Sequence, residues 1–279
     1  MNEIVSAKPF IKWVGGKRNL LSDILPLTPD NIKNYFEPFM GGAALFYNIQ
    51  DKVSGDFYLS DFNDELVNCY LQVRDNIENL TKELKLYKNT KEFFEEIRSM
   101  DRMSDFKSSC RVKRAARFIY LNRTAFNGMW RVNKKNQFNV PYGKYPNDFA
   151  PDISTLMNAS NALKEVSIKE HDYAKILDSV QEGDFVYLDP PYVPISETSA
   201  FTSYTHKGFD NSLQSNLYEF CKKLDERNVN FMQSNSSADS VYKMYEEFNI
   251  FDVMANRNIN SKGDGRAKVK EVLITNYKK

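Results

Sequence analysis

Phe185-Val186-Tyr187-Leu188-Asp189-Pro190-Pro191-Tyr192 decides the fold: four apolar residues run without a break into an acid, two prolines and a tyrosine. Such a run, bounded by a turn, fits a strand buried on both faces, as in sheets covered by helices. Asp189 then stands just past the carboxyl end of that strand, where open α/β sheets bind their ligands. Two prolines fix the backbone, so the Asp189 carboxylate and the Pro190 carbonyl can be held side by side as two acceptors, with the Tyr192 ring as a stacking face. Two acceptors suit a planar NH2 group.

On either side of this stretch the pattern repeats. Tyr35-Phe36 leads into Glu37-Pro38-Phe39-Met40-Gly41-Gly42, and Phe57-Tyr58-Leu59 ends at Ser60-Asp61, twenty residues beyond Gly41. A glycine turn lets backbone approach a nucleotide, and an acid at the next strand end accepts from ribose hydroxyls. Residues 167–168, 229–232, 250–253 and 272–276 supply further strand candidates. Residues 65–120 switch to helical spacing, for example Leu80, Leu84 and Tyr87, then Phe94 and Ile97. Between Gly128 and Gly143 the alternation of Trp130, Val132, Phe138 and Val140 about the polar turn 133–136 predicts a β-hairpin. The implied architecture is an α/β sheet interrupted by a helix-rich insertion.

Composition narrows the function. With 279 residues, 42% hydrophobic and 27% charged, the chain can bury a full core and is neither disordered nor fibrous. Cys69, Cys110 and Cys221 are too scattered for a disulfide framework or a zinc site, so no metal and a reducing, cytoplasmic setting are expected. No signal core opens the chain, and no apolar run is long enough to span a membrane. Net charge is only +1, but residues 51–100 carry seven Lys/Arg against eleven Asp/Glu, whereas residues 101–150 carry eleven against three. That basic block, with Arg111, Lys113, Arg114, Arg117, Arg123, Arg131, Lys134, Lys135 and Lys144 among Tyr120, Phe126, Trp130, Phe138 and Tyr142, has the makings of a nucleic-acid surface; a solvated helix face is the plainer alternative. Phe10-Ile11-Lys12-Trp13-Val14-Gly15-Gly16-Lys17 sets a cation and an aromatic on a glycine turn, but lacks the spacing of a phosphate loop.

In order and spacing these segments resemble the Dam-type (D12 class) N6-adenine-specific DNA methyltransferases, most closely the GATC-specific members of restriction–modification systems. The resemblance rests on FIKWVGGKR at 10–18, YFEPFMGGAALF at 35–46, LSDFNDEL at 59–66, NGMWRVNKKNQFNVPYGKY at 127–145, VYLDPPYVPISETSAFTSYT at 186–205 and SNSS at 234–237. It implies a Rossmann-like, S-adenosylmethionine-dependent methyltransferase sheet in two parts, 1–68 and 152–279, with a target-recognition insertion of helices and a hairpin at 69–151. It implies S-adenosylmethionine as methyl donor, double-stranded DNA as partner, and a restriction endonuclease encoded nearby. By matching motif, Trp13, Lys17, Phe39, Gly41, Asp61 and Asp189 line the cofactor pocket, and Asp189, Pro190 and Tyr192 form the catalytic turn. Lys12, Phe126, Asn127, Met129, Arg131, Lys134, Pro141 and Lys144 face DNA, with Arg131 reading a guanine and Met129 and Pro141 meeting thymine methyls. Ala43, Met129 and Lys144 depart from the family pattern. Transfer to another DNA sequence, to cytosine N4 or to a protein glutamine, and a non-catalytic DNA-binding module, are the alternatives.

Overall fold

A computed structural model of the chain describes residues 7–192, 211–256 and 268–279. Seven strands form one sheet: β1 (Tyr35–Glu37), β2 (Phe57–Asp61), β3 (Ser167–Glu170), β4 (Phe185–Leu188), β5 (Asn230–Ser236), β6 (Asn249–Asn256) and β7 (Lys268–Thr275). Their spatial order is β3-β2-β1-β4-β5-β7-β6. The first five are parallel, and β7 runs antiparallel between β5 and β6. The order reverses between β1 and β4, which pair through Tyr35 with Phe185 and Phe36 with Val186. Crossovers leaving a sheet in opposite directions open a crevice at the carboxyl ends of such a strand pair.

Period-two alternation sends β4 side chains to two cores. Phe185 and Tyr187 join Tyr35, Leu59, Met232 and Leu273 on one face; Val186 and Leu188 join Phe36, Phe231 and Ile274 on the other. The second face is covered by α7 (Asn211–Asp225) through Leu217, Phe220, Cys221 and Leu224. After α1 (Leu21–Leu27), which precedes β1, the helices that cover the first face come from the long excursion between β2 and β3: α2 (Asp64–Asp75), α3 (Ile77–Leu84), α4 (Lys91–Ser99), α5 (Arg111–Thr124) and α6 (Ile153–Leu163). Asn63, Thr90 and Asp152 cap α2, α4 and α6 by accepting from Leu66, Phe93 and Thr155 backbone N–H groups. The expected boundary at 68/69 falls inside α2, and one core runs from Leu59 through Leu66 and Tyr70 to Phe118.

Two expectations need correction. The segment predicted as a β-hairpin is a hairpin only around its turn: Val132 bridges Phe138, the Asn133 N–H donates to the Gln137 carbonyl at 2.8 Å and the Asn139 N–H to the Arg131 carbonyl at 3.0 Å, while beyond these only the isolated bridge Ala125–Tyr142 continues the pairing and no extended strands form. Its backbone is diverted: the Phe138 N–H donates to Asp101 Oδ2 at 2.7 Å, and the Trp130 ring stacks on Phe118 of α5 with centroids 3.8 Å apart. The basic block is also partly internal. Arg114 bonds Glu65 through Nε at 3.2 Å and Nη2 at 2.5 Å, and Arg117, 1% exposed, pairs with Asp101 at 2.6 Å and donates to the Ile97 carbonyl at 2.8 Å. Buried guanidinium groups persist only with such partners. Tyr120, Trp130 and Phe138 are buried as well, so they are packing residues rather than stacking surfaces.

Candidate active site

The exit of β4 carries Asp189, about one-fifth exposed, whose Oδ1 lies 2.7 Å from the buried Lys17 ammonium. Burial pushes the Asp189 carboxyl upward and Glu271 adds to this, while Lys17 opposes it. Lys17 reaches the carboxylate because the chain turns sharply before it: Gly15 sits at φ +78°, and the Gly16 N–H donates to the Trp13 carbonyl at 3.0 Å. The same ammonium stands 4.8 Å from the centre of the Tyr192 ring. The Tyr192 hydroxyl donates to Glu271 Oε2 at 2.7 Å, and Gln214 on α7 donates to the Pro191 carbonyl at 3.2 Å. Asp189, Lys17, Tyr192 and Glu271 thus form one contiguous group.

The exits of β1 and β2 build the adjoining wall. Gly41, at φ +43°, donates its N–H to Asp61 Oδ2 at 3.2 Å, and the Asn63 N–H donates to Asp61 Oδ1 at 2.9 Å. A β-carbon on Gly41 would lie 2.5 Å from Trp13 Cδ1, so only glycine lets the Trp13 ring approach this turn. Phe39 stacks on Tyr173 with centroids 5.3 Å apart, and Phe62, next to Asp61, is 62% exposed. Burial lifts the Asp61 carboxyl to about 6, against the pull of backbone N–H groups from Asn63, Gly41 and Phe62. Burial lifts Glu37 further, to about 8, although the Tyr35 hydroxyl donates to it at 2.9 Å.

This donor and acceptor set fits a nucleoside joined to an amino acid. With backbone N–H groups on both its oxygens, Asp61 retains acceptor capacity for a hydroxyl; Lys17 offers an ammonium to a carboxylate; Phe39 and Phe62 offer faces to a purine. Over residues 13–259 the chain matches the family described as D12 class N6 adenine-specific DNA methyltransferase. The chain belongs to that family. It is 44% identical over 277 residues to the type II methyltransferase M1.LlaDCHI of Lactococcus lactis, covering 98% of this chain and 96% of that one. It is also 44% identical over 291 residues to the type II methyltransferase M.MjaIII of Methanocaldococcus jannaschii, covering 98% and 100%. The DNA adenine methylase of Vibrio cholerae is 33% identical over 271 residues, with 95% of each chain covered. Membership of this family makes the chain an adenine-specific DNA methyltransferase and implies S-adenosylmethionine as methyl donor.

A second surface lies beside the site. Asn122, fully buried on α5, accepts from the Lys12 N–H at 2.8 Å and donates to the carbonyls of Lys12 at 2.7 Å and Gly128 at 3.2 Å. This methyltransferase therefore ties the loop holding Lys12 and Trp13 to the loop holding Phe126, Asn127 and Met129. Phe126 is 47% exposed and donates its N–H to the Pro141 carbonyl, while Asn127 is exposed at φ +57°. Met129 is half-buried; Lys12, Arg131, Lys134, Pro141 and Lys144 are exposed. Arg131 Nε donates to Asn139 Oδ1 at 2.8 Å, and Lys144 sits at φ +54°. Residues 193–205 of the motif that begins at Val186 lie outside the described residues.

Sequence reasoning missed Asn122, Tyr173 and Glu271. Glu271 could have been noticed, since it sits two residues from Leu273 on one face of a strand otherwise entering an apolar run. Among the described residues no helix is long and apolar enough to cross a membrane, and no group of three or more His, Cys, Asp or Glu side chains could hold a metal ion.

Proposed function

We propose that this methyltransferase modifies the exocyclic N6 amine of adenine within GATC sites of duplex DNA, after the adenine has left the stack. The observation that carries this is the meeting, at the β1–β4 crevice, of the Asp189 carboxylate with the Tyr192 ring and the Lys17 ammonium. Trp13, Lys17, Phe39, Gly41 and Asp61 would hold the donor. When bound there, S-adenosylmethionine supplies a sulfonium methyl group that is already a strong electrophile.

The protein's own task is then alignment. Asp189 and the Pro190 carbonyl accept the two amine hydrogens, which turns the nitrogen lone pair away from the ring and toward the donor. Tyr192 supplies a face on which the purine stacks, replacing what it loses by leaving the helix. Residues 69–151 act as the target-recognition domain: Arg131 reads a guanine edge, Met129 and Pro141 touch thymine methyls, and Lys12 approaches a base. Phe126 stacks or wedges, Asn127 holds the DNA backbone, and Lys134 and Lys144 neutralise phosphates. Similarity to proteins named type II methyltransferases supports a cytoplasmic role opposite a restriction endonuclease. Plasmid carrying the gene, passed through a methylation-deficient host, should resist a GATC endonuclease blocked by N6-methyladenine and be cut by one that requires it. The reverse pattern overturns the GATC assignment.

A further inference from the structure

Glu271 is a half-buried acid on β7, a strand the reaction as described does not use. Because β7 runs antiparallel to β5, its early residues rise beside the carboxyl ends of the parallel strands, and its register sets Glu271 across from Ser236 at the end of β5. There Oε2 accepts the Tyr192 hydroxyl at 2.7 Å, within the range of a charge-assisted bond. The acid also sits near enough to Asp189 to push that carboxyl upward, so it stands in the site at an electrostatic cost. A like charge kept beside Asp189 calls for a compensating use, and among the described residues its side chain bonds Tyr192.

The ring's other restraint points the same way. Two prolines fix the backbone before Tyr192, and Gln214 fixes the Pro191 carbonyl, yet neither sets the direction of the side chain. The phenolic oxygen lies on the ring's Cβ–Cγ axis, so a phenol anchored there is held about its first side-chain torsion, and the ring's place is set before a base arrives. Accepting the hydroxyl proton also places negative charge at the ring's edge, which favours the Lys17 cation seen 4.8 Å from its face.

We propose that Glu271 is a positioning residue for the target base: its carboxylate anchors the Tyr192 hydroxyl and so fixes the ring as the wall on which the adenine rests. This rests on the reading of Tyr192 as the stacking face. The test is a double-mutant cycle in the full-length protein on a GATC duplex, with folding checked by circular dichroism. Glu271→Ala and Tyr192→Phe should each lower kcat about tenfold, the size of one hydrogen bond to a charged group, with little change in KM for DNA. The double variant should be no slower than either single one, and Glu271→Gln, whose amide oxygen still accepts, should recover most of the loss. With 2-aminopurine at the target position, Glu271→Ala should give a brighter complex than the parent, because a loosened ring quenches less. Multiplying losses in the double variant, or Glu271→Gln as slow as Glu271→Ala, would overturn the proposal. Full turnover by Tyr192→Ala would overturn the stacking reading and this proposal together; a loss in Tyr192→Ala beside full turnover in Glu271→Ala would overturn the proposal alone.

Discussion

Asp61 shows how a single side chain carries a testable consequence. Its carboxyl titrates at about 6 because burial outweighs the N–H groups that favour its charge. An ionised Asp61 offers two acceptors to ribose hydroxyls, whereas a protonated one loses acceptor capacity. Affinity for S-adenosylmethionine, measured by calorimetry, should therefore be constant above pH 6 and fall as pH drops through it; Asp61→Asn should bind weakly and without that dependence. Arg131 and Lys134 make a paired case. Arg131→Ala should relax discrimination at one guanine by about 1–3 kcal/mol, while Lys134→Ala should weaken all duplexes alike and reduce the salt slope. Competition binding with single-base-substituted duplexes separates the two, and equal losses on cognate and noncognate DNA for Arg131→Ala would refute base reading. Asp189, Gly41 and Asp61 were legible in the sequence because each belongs to a short local pattern. Asn122 was not, since its partner Lys12 is 110 positions away, and the Tyr192–Glu271 contact joins positions 79 apart.

At the level of elements, apolar runs ending in an acid or a turn identified the strands well: the run from Phe57 to Asp61 is β2, and the run Phe185 to Leu188 is β4. Alternation at 128–143 located the chain reversal but overstated the length of the pairing. Trp130, Phe138 and Val140 alternate because they are buried, with Trp130 stacked on α5, and of these only Phe138 pairs across the reversal, with Val132. Charge counting had the same weakness, since it cannot distinguish a surface arginine from Arg114 or Arg117, whose partners Glu65 and Asp101 lie elsewhere in the chain. Asp101 links both corrections by holding Arg117 and the Phe138 N–H together. Asp101→Ala strands a buried guanidinium and should cost about 3–5 kcal/mol in urea unfolding. Because it also frees the 131–139 segment, surviving folded enzyme should bind DNA more weakly while retaining cofactor affinity.

Across the whole molecule, the sheet brings three strand exits to one crevice, and the excursion between β2 and β3 delivers beside it the loops proposed for target recognition. Burying acids there has a stability cost. Glu37 keeps its proton in the folded state up to about pH 8, but releases it near its ordinary value of 4.5 when unfolded. The unfolded chain therefore binds fewer protons between these limits, and stability falls as pH rises from 4.5 to 8. Glu37→Gln should flatten that decline and raise the melting temperature at pH 8 relative to the parent, with a gain of a few kcal/mol at most. Matched melting curves at pH 5 and pH 8 check it; equal decline in both proteins would contradict the neutral acid.

The proposed reaction depends most on Asp189, the acceptor assigned to orient the amine. N6-methyladenine formed in a GATC duplex can be measured by mass spectrometry for the parent and for Asp189→Ala, each first shown to be folded and to bind DNA. The expected result is a fall in kcat of about 100-fold or more, in keeping with loss of a group acting directly at the reacting nitrogen. Methylation by Asp189→Ala at the parent's rate would contradict the account.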